Sequence, residues 1–330
     1  MSIFKNSVIL ITGGTGSWGN ELTRQLLEKD PEKIIIYSRS ELHQVNTQRT
    51  FNNPKIKFII GDVRDYEQIL KASVGVDYIF HLAALKHVPI CEDQPEEALK
   101  TNVTGTLNVI TAAKKNKVKK VIDVSTDKAV DPFNFYGMTK AIGERLIINA
   151  NLNSTKTKFV CIRGGNVLGT NGSVVPFFID QIKRSKTVFL TDKAMTRYYM
   201  TQKEAINLLF KAAENSAGGE TFVMKMPSCK VIDLAEVLIE EVGNNEKITI
   251  KEIGVRPGEK IHECLISRHE SPSTYQYDKN YYVILPQIKI KGLEDKYKKF
   301  KKVTFGEYSS ENILMNKTEI KIMLKNGNLI

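Results

Sequence analysis

The chain has 330 residues, of which 42% are hydrophobic and 26% are charged, and this composition excludes collagen-like, disordered and disulfide-stapled proteins. The formal net charge of +11 raises the question of nucleic-acid binding. However, residues 289–302 hold seven lysines against two acidic residues, so nearly half of the surplus lies in one short segment. A solvated, partly mobile lysine segment explains this charge, with contact to an anionic surface as the alternative, and we expect no nucleic-acid partner.

Cysteine spacing and the length of the apolar runs indicate the cellular compartment. The four cysteines are scattered and form no CxxC pair, so neither a metal finger nor a disulfide framework is expected. Residues 1–7 are too short and polar for a signal peptide, and no stretch approaches the roughly 20 apolar residues of a membrane span. The sequence therefore predicts a reduced, cytoplasmic protein with no membrane span and no metal site.

Short apolar runs alternate with helical patterns through the first half of the chain. Helices are predicted at residues 17–29, 95–114 and 135–150. Strands are predicted at residues 8–12, 33–38, 57–61, 78–81, 120–125 and 158–163. Near-continuous apolar strands separated by helices are typical of a parallel sheet that is covered on both faces. We therefore predict an α/β protein with a doubly wound, parallel-sheet Rossmann fold.

After residue 169 the pattern becomes less regular. Helices at 174–183, 202–213 and 233–242 alternate with short strands such as 220–224 and 247–251. We predict a Rossmann domain over residues 1–168 and a smaller mixed α/β region over residues 169–286. Some segments of that region are expected to return to the Rossmann domain. Residues 287–330 form a lysine-rich C-terminal segment with little periodicity.

The first predicted strand runs directly into a glycine-rich loop, TGGTGSWG, at residues 12–19. Gly13, Gly16 and Gly19 have GxxGxxG spacing, which suits a tight turn whose backbone approaches a pyrophosphate. The helix that follows offers N–H groups and the positive end of its dipole to phosphates. Because the loop lies between a strand and a helix, it predicts a dinucleotide site. The remaining loop residues predicted to contact the cofactor are Thr15, Ser17 and Trp18.

The end of the second predicted strand selects the dinucleotide. Sites for NAD usually place an acid there, whereas this strand ends in Ser38 and Arg39 and the first acid is Glu41. A guanidinium and a hydroxyl suit a 2′-phosphate, so NADP is the predicted cofactor; the alternative is that Arg39 only caps a solvent-facing loop. Further cofactor residues are predicted after the third and fourth strands: Asp62, Val63, Ala83 and Ala84.

A Tyr–Lys pair follows the fifth predicted strand. Tyr136 and Lys140 are about one helical turn apart, so both can face the sheet edge where a nicotinamide would lie. A phenol with a pKa of about 10 is a poor base at neutral pH. The Lys140 ammonium and the positive nicotinamide are expected to lower the pKa of Tyr136. Tyr136 is therefore predicted to take a proton from a substrate hydroxyl, and both residues are predicted to contact the cofactor.

Several motifs are longer than those of dinucleotide folds in general. They are TGGTGSWG, YSRSE, GDVRD, AALKHV, STDKA, YGMTK, RGGNVLG, GSVVPFF, MTR and RPGEKIHE. Over residues 7–286 the chain resembles extended short-chain dehydrogenases/reductases, and more narrowly the inverting UDP-N-acetylglucosamine 4,6-dehydratases that open pseudaminic acid synthesis. It departs from that pattern at Trp18, where Phe is usual, and in the lysine-rich insertion near Lys291. Neither departure touches the expected chemistry.

The resemblance implies roles for the residues that end the fifth strand. Once C4 of the sugar is a ketone, the C5 proton is acidic, and Lys128 would remove it if positive charge and partial burial held the amine neutral. Asp127, if protonated, would donate to the departing C6 hydroxyl, and Thr126 completes the predicted catalytic set. Reprotonation of C5 on the opposite face would invert that centre. The alternative is that Asp127 and Lys128 form a surface ion pair.

The resemblance also implies contacts with UDP-N-acetylglucosamine. A UDP pyrophosphate is best bound by fixed Lys and Arg donors, although a structural salt bridge is the alternative for each of these residues. The family further implies a homo-oligomer, either a dimer or a hexamer. The predicted substrate-binding residues are Lys86, Asn166, Val174, Thr191, Arg197, Arg256 and Glu259.

Two other functions remain open. One is a nucleotide-sugar C4-epimerase or a C5-retaining dehydratase; Lys128 in place of Glu disfavours the retaining enzyme, and the STDKA motif disfavours the epimerase. The other is a non-catalytic NADP-binding regulator that contacts RNA or an anionic partner through residues 296–302. The presence of both Tyr136 and Lys140 disfavours this regulator.

Overall fold

The strands form one large sheet and three small ones in the computed structural model, which describes residues 2–154, 156–170 and 172–330. The strands are β1 (Val8–Thr12), β2 (Lys33–Ser38), β3 (Ile56–Ile60), β4 (Tyr78–His81), β5 (Lys120–Thr126), β6 (Lys158–Gly164), β7 (Asn166–Val167), β8 (Thr187–Leu190), β9 (Thr196–Met200), β10 (Thr221–Met224), β11 (Ser228–Lys230), β12 (Thr249–Glu252), β13 (Cys264–Ile266), β14 (Thr274–Gln276), β15 (Tyr281–Ile284) and β16 (Tyr308–Ser309). All six predicted strands of the first half are present, with ends that differ by one residue at most.

The large sheet has the strand order β14-β15-β10-β6-β5-β4-β1-β2-β3. Strands β1 to β6 and β10 are parallel, while β15 and β14 pair antiparallel at one edge. The order 3-2-1-4-5-6 within this sheet is that of the doubly wound Rossmann fold, which confirms the predicted fold class. The strand order reverses between β1 and β4: strands β1 to β3 progress toward one side of the sheet, and β4 to β6 toward the other. Ligands of such sheets bind outside the carboxyl ends of the strands at this point.

Helices cover both faces of the large sheet. They are α1 (Ser17–Leu27), α2 (Glu41–Phe51), α3 (Tyr66–Ala72), α4 (Val88–Asp93), α5 (Pro95–Leu99), α6 (Gly105–Lys115), α7 (Phe135–Asn149), α8 (Val174–Ser185), α9 (Gln202–Asn215), α10 (Val231–Val242), α11 (Leu293–Tyr297) and α12 (Lys317–Asn326). Along β1, Ile9 and Ile11 face the layer of α1 and α9, and Leu10 faces the layer of α3 and α6. Within the described ranges, every helix is too short or too polar to cross a membrane.

The predicted helix at 95–114 is confirmed as one continuous helical stretch, but it contains a turn of different geometry. Residues Lys100–Thr104 form a π-helical turn between α5 and α6. The extra residue of such a turn displaces side chains from the helical repeat. Within it, the Asn102 amide donates to the Leu85 carbonyl at 2.9 Å and to the Thr139 hydroxyl at 3.0 Å, and its oxygen accepts from the Leu85 N–H at 2.8 Å. Asn102 therefore fixes the loop after β4 against α7.

The chain after residue 169 contributes to two parts of the structure. Helices α8, α10 and α12 pack with β8 and β12 around a separate apolar core, which includes Val175, Leu238 and Leu324. Strands β10, β14 and β15 instead extend the large sheet. The division into residues 1–168, 169–286 and 287–330 stays a prediction.

The lysine-rich segment is anchored by buried residues, although most of its lysines are exposed to solvent, as predicted. Leu293 and Tyr297 are buried in the core beside the large sheet. The Tyr297 hydroxyl donates to the fully buried Glu220 carboxylate at 2.9 Å, and Lys296 lies 3.7 Å from the same carboxylate. Phe300 stacks on Tyr277 with ring centroids 4.9 Å apart. Apolar and ionic contacts thus dock the segment, while its other lysines face solvent.

A buried guanidinium joins the smaller region to the large sheet. Arg163, at the end of β6, donates to both oxygens of Glu144 on α7, at 2.8 and 2.7 Å. It also donates to both oxygens of Glu270 at 2.8 and 2.7 Å, and to the Leu265 carbonyl at 3.1 Å. Burial opposes ionisation of Glu270, but the Arg163 charge outweighs it and lowers the pKa of that carboxyl. Three charged side chains therefore satisfy one another away from water.

We expect Arg163→Met to lower the free energy of unfolding by about 3–5 kcal/mol, because it leaves two carboxylates without their shared cation. The matched control is Arg184→Met, since Arg184 also pairs with a carboxylate at 2.7 Å but is 81% exposed. That change should be worth less than about 1 kcal/mol. Urea unfolding followed by circular dichroism measures both, and similar losses in the two variants would contradict a central role for Arg163.

Candidate active site

The glycine-rich loop turns tightly at the carboxyl end of β1. The Gly13 N–H donates to the Tyr37 carbonyl at 2.8 Å, and Gly13 has a φ of +67°. A Cβ atom at this position would lie 2.9 Å from the Cα and N atoms of Ala83, which follows β4. Glycine is therefore required both for the backbone conformation and for the close approach of the two strand ends. This shape fits a dinucleotide pyrophosphate, which needs a backbone without side chains in its path.

The start of α1 leaves its N–H groups directed toward the same place. Gly16 is the N-cap residue of this helix, and no side chain accepts a hydrogen bond from its first N–H groups. A helix N-terminus without a cap has N–H donors and a positive dipole end to offer to phosphates. The Trp18 ring lies against Gly164 at the end of β6, since a Cβ on Gly164 would be 3.3 Å from the indole. Trp18 therefore links the cofactor loop to the RGGNVLG motif.

Buried hydrogen bonds fix the neighbouring end of β4. The His81 ring bonds the Thr12 hydroxyl at 2.7 Å and the Thr106 hydroxyl at 3.2 Å. Burial lowers the pKa of His81 to about 4, so the ring is neutral at physiological pH. A neutral imidazole can donate from one nitrogen and accept at the other, which allows it to bridge two hydroxyls.

The predicted residues for the adenosine end lie along the carboxyl ends of β2 and β3. Arg39 is exposed, whereas Ser38 is buried and its hydroxyl accepts from the Gln44 amide at 3.1 Å. Asp62 is bound by Arg64 at 2.6 Å, and this cation lowers the pKa of Asp62 although burial acts in the opposite direction. Val63 is buried. Arg39 is thus the one of these predicted residues that presents an exposed cation.

The predicted catalytic residues meet where β5 ends and α7 begins. The Thr126 hydroxyl donates to Asp127 at 2.9 Å, and the Lys128 ammonium lies 3.0 Å from the same carboxylate oxygen. Asp127 is 1% exposed, so the pair is not the surface ion pair that was the alternative. Lys140 lies 3.5 Å from the fully buried Asp123. Lys140 and Lys128 both act electrostatically on Tyr136.

Two expectations about protonation were wrong. Burial opposes the charge on Lys128, but the carboxylates of Asp127 and Glu263 outweigh it and raise the pKa of Lys128 above its ordinary value. Lys128 is therefore held as an ammonium rather than as a neutral amine. Burial also raises the pKa of Tyr136, and the positive charges of Lys140 and Lys128 offset this only in part. Tyr136 is thus a neutral phenol in this structure.

A loop contact connects the catalytic residues to the RPGEKIHE motif. The Lys260 ammonium donates to the carbonyls of Val130 and Asp131 at 2.8 and 2.7 Å. The Asn134 amide, which begins α7, donates to the Gly258 carbonyl at 2.7 Å. The loop between Lys128 and Tyr136 is therefore held by the segment in which Arg256 and Glu259 were predicted to bind substrate.

The predicted substrate residues are spread around this edge. Arg197 on β9 is directed at the protein itself: its guanidinium donates to the carbonyls of Thr196, Lys260 and Ile261. Lys86 and Arg256 are exposed in loops. Asn166 begins β7, Val174 begins α8, Thr191 follows β8, and Glu259 lies between β12 and β13. Among the described residues, no side-chain hydrogen bond joins Lys86, Thr191 or Arg256 to the catalytic residues, so their roles stay predictions.

The sequence analysis missed Glu263, which lies 3.3 Å from the Lys128 ammonium and is 2% exposed. Its motif was quoted for the family resemblance, but no feature near it in the chain points to Lys128. It also missed Asn102, although the Thr-Asn-Val-Thr sequence places an amide within an otherwise helical pattern. Among the residues that the structure describes, His, Cys, Asp and Glu side chains form no group of three suited to a metal ion.

Known proteins share this architecture. Residues 9–285 match the family described as polysaccharide biosynthesis protein. A UDP-N-acetylglucosamine 4,6-dehydratase (inverting) from Campylobacter jejuni is 44% identical over 321 residues, which cover 94% of each chain. A UDP-glucose 4-epimerase from Rickettsia canadensis is 40% identical over 99% of this chain and 98% of its own. The crystal structure of Pen from Bacillus thuringiensis has a TM-score of 0.91 and 40% identity, covering 98% of this chain and 99% of its own.

A doubly wound sheet with a glycine-rich loop after β1 and a Tyr–Lys pair after β5 defines an extended short-chain dehydrogenase/reductase. The chain belongs to the polysaccharide biosynthesis protein family. Its resemblance to the inverting UDP-N-acetylglucosamine 4,6-dehydratases is confirmed by the relative from Campylobacter jejuni.

We expect Gly13→Ala to weaken dinucleotide binding at least about tenfold. The added methyl group would meet the backbone of Ala83, and Gly13 has a left-handed backbone conformation that alanine rarely adopts. Gly75→Ala is the matched control, since Gly75 has a φ of +72° but no atom within 4 Å of the added Cβ. It should lose about 1–2 kcal/mol of stability without any change in affinity. Fluorescence titration with NADPH measures the affinity, and equal affinities for the two variants would contradict the close approach as the cause.

Proposed function

We propose that this protein is an NADP-dependent UDP-N-acetylglucosamine 4,6-dehydratase that inverts C5, giving UDP-2-acetamido-2,6-dideoxy-β-L-arabino-hex-4-ulose. The observation that carries the proposal is the Asp127–Lys128 pair, buried at the end of β5. An epimerase that only oxidises and reduces C4 has no need of a second acid–base pair there. The inverting dehydratase from Campylobacter jejuni, at 44% identity, supports the same assignment.

Oxidation at C4 needs a base for the hydroxyl proton. Tyr136 is a neutral phenol in the unliganded protein, so it must first release its own proton to solvent. The phenolate, which the cations of Lys140 and Lys128 stabilise, then takes the hydroxyl proton. Lys140 stays charged in the buried site because Asp123 lies 3.5 Å away. When bound, NADP supplies a nicotinamide that accepts hydride from C4 and returns it to C6.

Elimination of water needs a base at C5 and an acid at the C6 oxygen. The Lys128 ammonium and the Asp127 carboxylate are 3.0 Å apart, so transfer of one proton between them yields a neutral amine and a carboxylic acid. The amine then takes the C5 proton, and the acid donates to the C6 hydroxyl, which leaves as water. Both groups end in their original ionic forms. The ketone at C4 makes this possible because it acidifies the C5 proton.

Inversion requires that C5 receives its new proton on the face opposite to the one that lost it. The proton that Tyr136 took from the C4 hydroxyl balances this final addition. The product therefore differs from the substrate by one water molecule, with C5 in the L configuration.

Arg39 supports NADP as the cofactor. Its guanidinium is exposed just after β2, a strand that ends without an acid of its own, and a planar cation suits a 2′-phosphate. The glycine-rich loop and the start of α1 would hold the pyrophosphate. We further propose that the enzyme is a cytoplasmic homo-oligomer and that it catalyses the first step of a pseudaminic-acid-type or related surface-glycan pathway.

A second candidate function is UDP-glucose 4-epimerisation, since the Rickettsia canadensis relative of that name covers 99% of this chain at 40% identity. The two candidates differ in their products. An epimerase converts UDP-glucose to its C4 epimer without loss of water, whereas the proposed dehydratase releases a 4-keto sugar from UDP-N-acetylglucosamine.

We expect turnover of UDP-N-acetylglucosamine in D₂O to place deuterium at C5 of an L-configured 4-keto product, as read by NMR. Lys128→Met should still bind the substrate but lose about 10²–10⁴-fold in water elimination, the usual range for an acid–base group. Lys119→Met is the control, because Lys119 also pairs with a carboxylate at 3.0 Å but is 66% exposed. A D-configured product would identify a retaining dehydratase. Full elimination by Lys128→Met would assign the base to another residue.

We expect Arg39→Ala to weaken NADP binding about 10–100-fold, the value of one charge-assisted hydrogen bond, and to leave NAD binding unchanged. Arg49→Ala, which removes an exposed arginine from the end of α2, should change neither affinity. Calorimetric titration with each dinucleotide measures the effect. Equal affinity of the unsubstituted protein for NADP and NAD would overturn the assignment.

A further inference from the structure

Glu263 belongs to a buried ionic cluster that the proposed chemistry does not yet use. The Lys128 ammonium lies between two carboxylates, 3.0 Å from Asp127 and 3.3 Å from Glu263. The Arg197 Nε lies 3.7 Å from the same Glu263 oxygen that Lys128 contacts. Each carboxylate is at most 2% exposed, and the second oxygen of each has no hydrogen-bond partner among the described residues.

The position of Glu263 is fixed by the backbone rather than by its own side chain. The Glu263 N–H donates to the Ser310 hydroxyl at 2.9 Å, and the Glu263 carbonyl accepts from the Ser310 N–H at 2.8 Å. The residue after Glu263 begins β13, which pairs with β16. Two strands and two backbone hydrogen bonds therefore hold the carboxylate in place before any substrate binds.

The two carboxylates around Lys128 differ in their surroundings. Glu263 has two cations within 4.0 Å, Lys128 and Arg197. Among the described residues, Lys128 is the one cation within that distance of Asp127. Asp127 also accepts a hydrogen bond from the Thr126 hydroxyl at 2.9 Å. Lys128 is therefore held by two carboxylates from different parts of the fold, Asp127 at the end of β5 and Glu263 just before β13.

We infer that Glu263 is a positioning residue for Lys128: its buried carboxylate, 3.3 Å away, anchors the Lys128 amine beside Asp127. This inference rests on the proposed elimination of water. It assigns no contact with the sugar to Glu263 itself.

The test is Glu263→Gln in the full-length enzyme loaded with NADP and UDP-N-acetylglucosamine. Oxidation of C4, read as the first-turnover rise in absorbance at 340 nm, should stay within about threefold of the parent, because Tyr136 and Lys140 are unchanged. Exchange of the C5 proton and loss of water should fall at least about tenfold, toward the range for loss of an acid–base function. Glu263→Asp, which keeps the charge on a shorter side chain, should restore part of this loss.

Glu220→Gln is the matched control, since Glu220 is an equally buried carboxylate that pairs with a lysine. It lies just before β10, at the amino ends of the parallel strands and away from the candidate site. Any effect of Glu220→Gln should fall equally on both steps. Equal slowing of C4 oxidation and C5 exchange in Glu263→Gln would reduce Glu263 to a structural residue. Unchanged C5 exchange would overturn the inference.

A second measurement needs no turnover. In ¹⁵N-labelled protein, an anchored Lys128 ammonium should give an NMR cross-peak that is absent from Lys128→Met, and this peak should be lost or broadened in Glu263→Gln. If the parent enzyme forms no 4-keto product, the proposed function fails, and the cross-peak still decides whether Glu263 anchors Lys128. A peak that is unchanged in Glu263→Gln would overturn the anchoring in either case.

Discussion

One guanidinium, that of Arg163, holds the segment around β13 against the large sheet. It satisfies Glu144 on α7 and Glu270 after β13, and it reaches the Leu265 carbonyl within the strand. A shift of this segment by one residue would separate buried opposite charges, which is far more unfavourable than moving an apolar strand. Arg163 thereby sets where Glu263 lies relative to Lys128. The geometry of the proposed acid–base chemistry depends on this structural ion network, which contributes no reacting atom.

The two halves of the fold differ in how far the sequence predicts them. Strands β1 to β6 are continuous apolar runs, because a central parallel strand is buried on both faces, and each was located from that pattern. Strands β13 to β16 have only two to four residues, too few for any period to be recognised. Helix α12 was missed although Asn316 and Glu319 form a capping box at its start, a signal that the sequence does contain.

The candidate site divides in a similar way. Residue types and spacing predicted the glycine-rich loop and the Tyr–Lys pair, and the family resemblance pointed to the Asp–Lys pair, because each motif is local in the chain. Protonation was predicted wrongly for Lys128 and Tyr136, since it depends on what surrounds them after folding. For Lys128 the carboxylates of Asp127 and Glu263 together outweigh burial, and Glu263 lies on a segment far along the chain. For Tyr136 the largest influence is the depth of burial. Neither quantity is encoded within a motif.

The hydrogen bonds between Ser310 and Glu263 also affect the order in which the candidate site assembles during synthesis. The glycine-rich loop and strands β1 to β6 leave the ribosome early, and they contain the residues expected to grip a dinucleotide. Ser310 follows Lys128 by more than half the length of the chain. A nascent chain can thus form its glycine-rich loop well before the Glu263 carboxylate is held against Lys128. The proposed elimination of water would then have to wait until Ser310 has been synthesised.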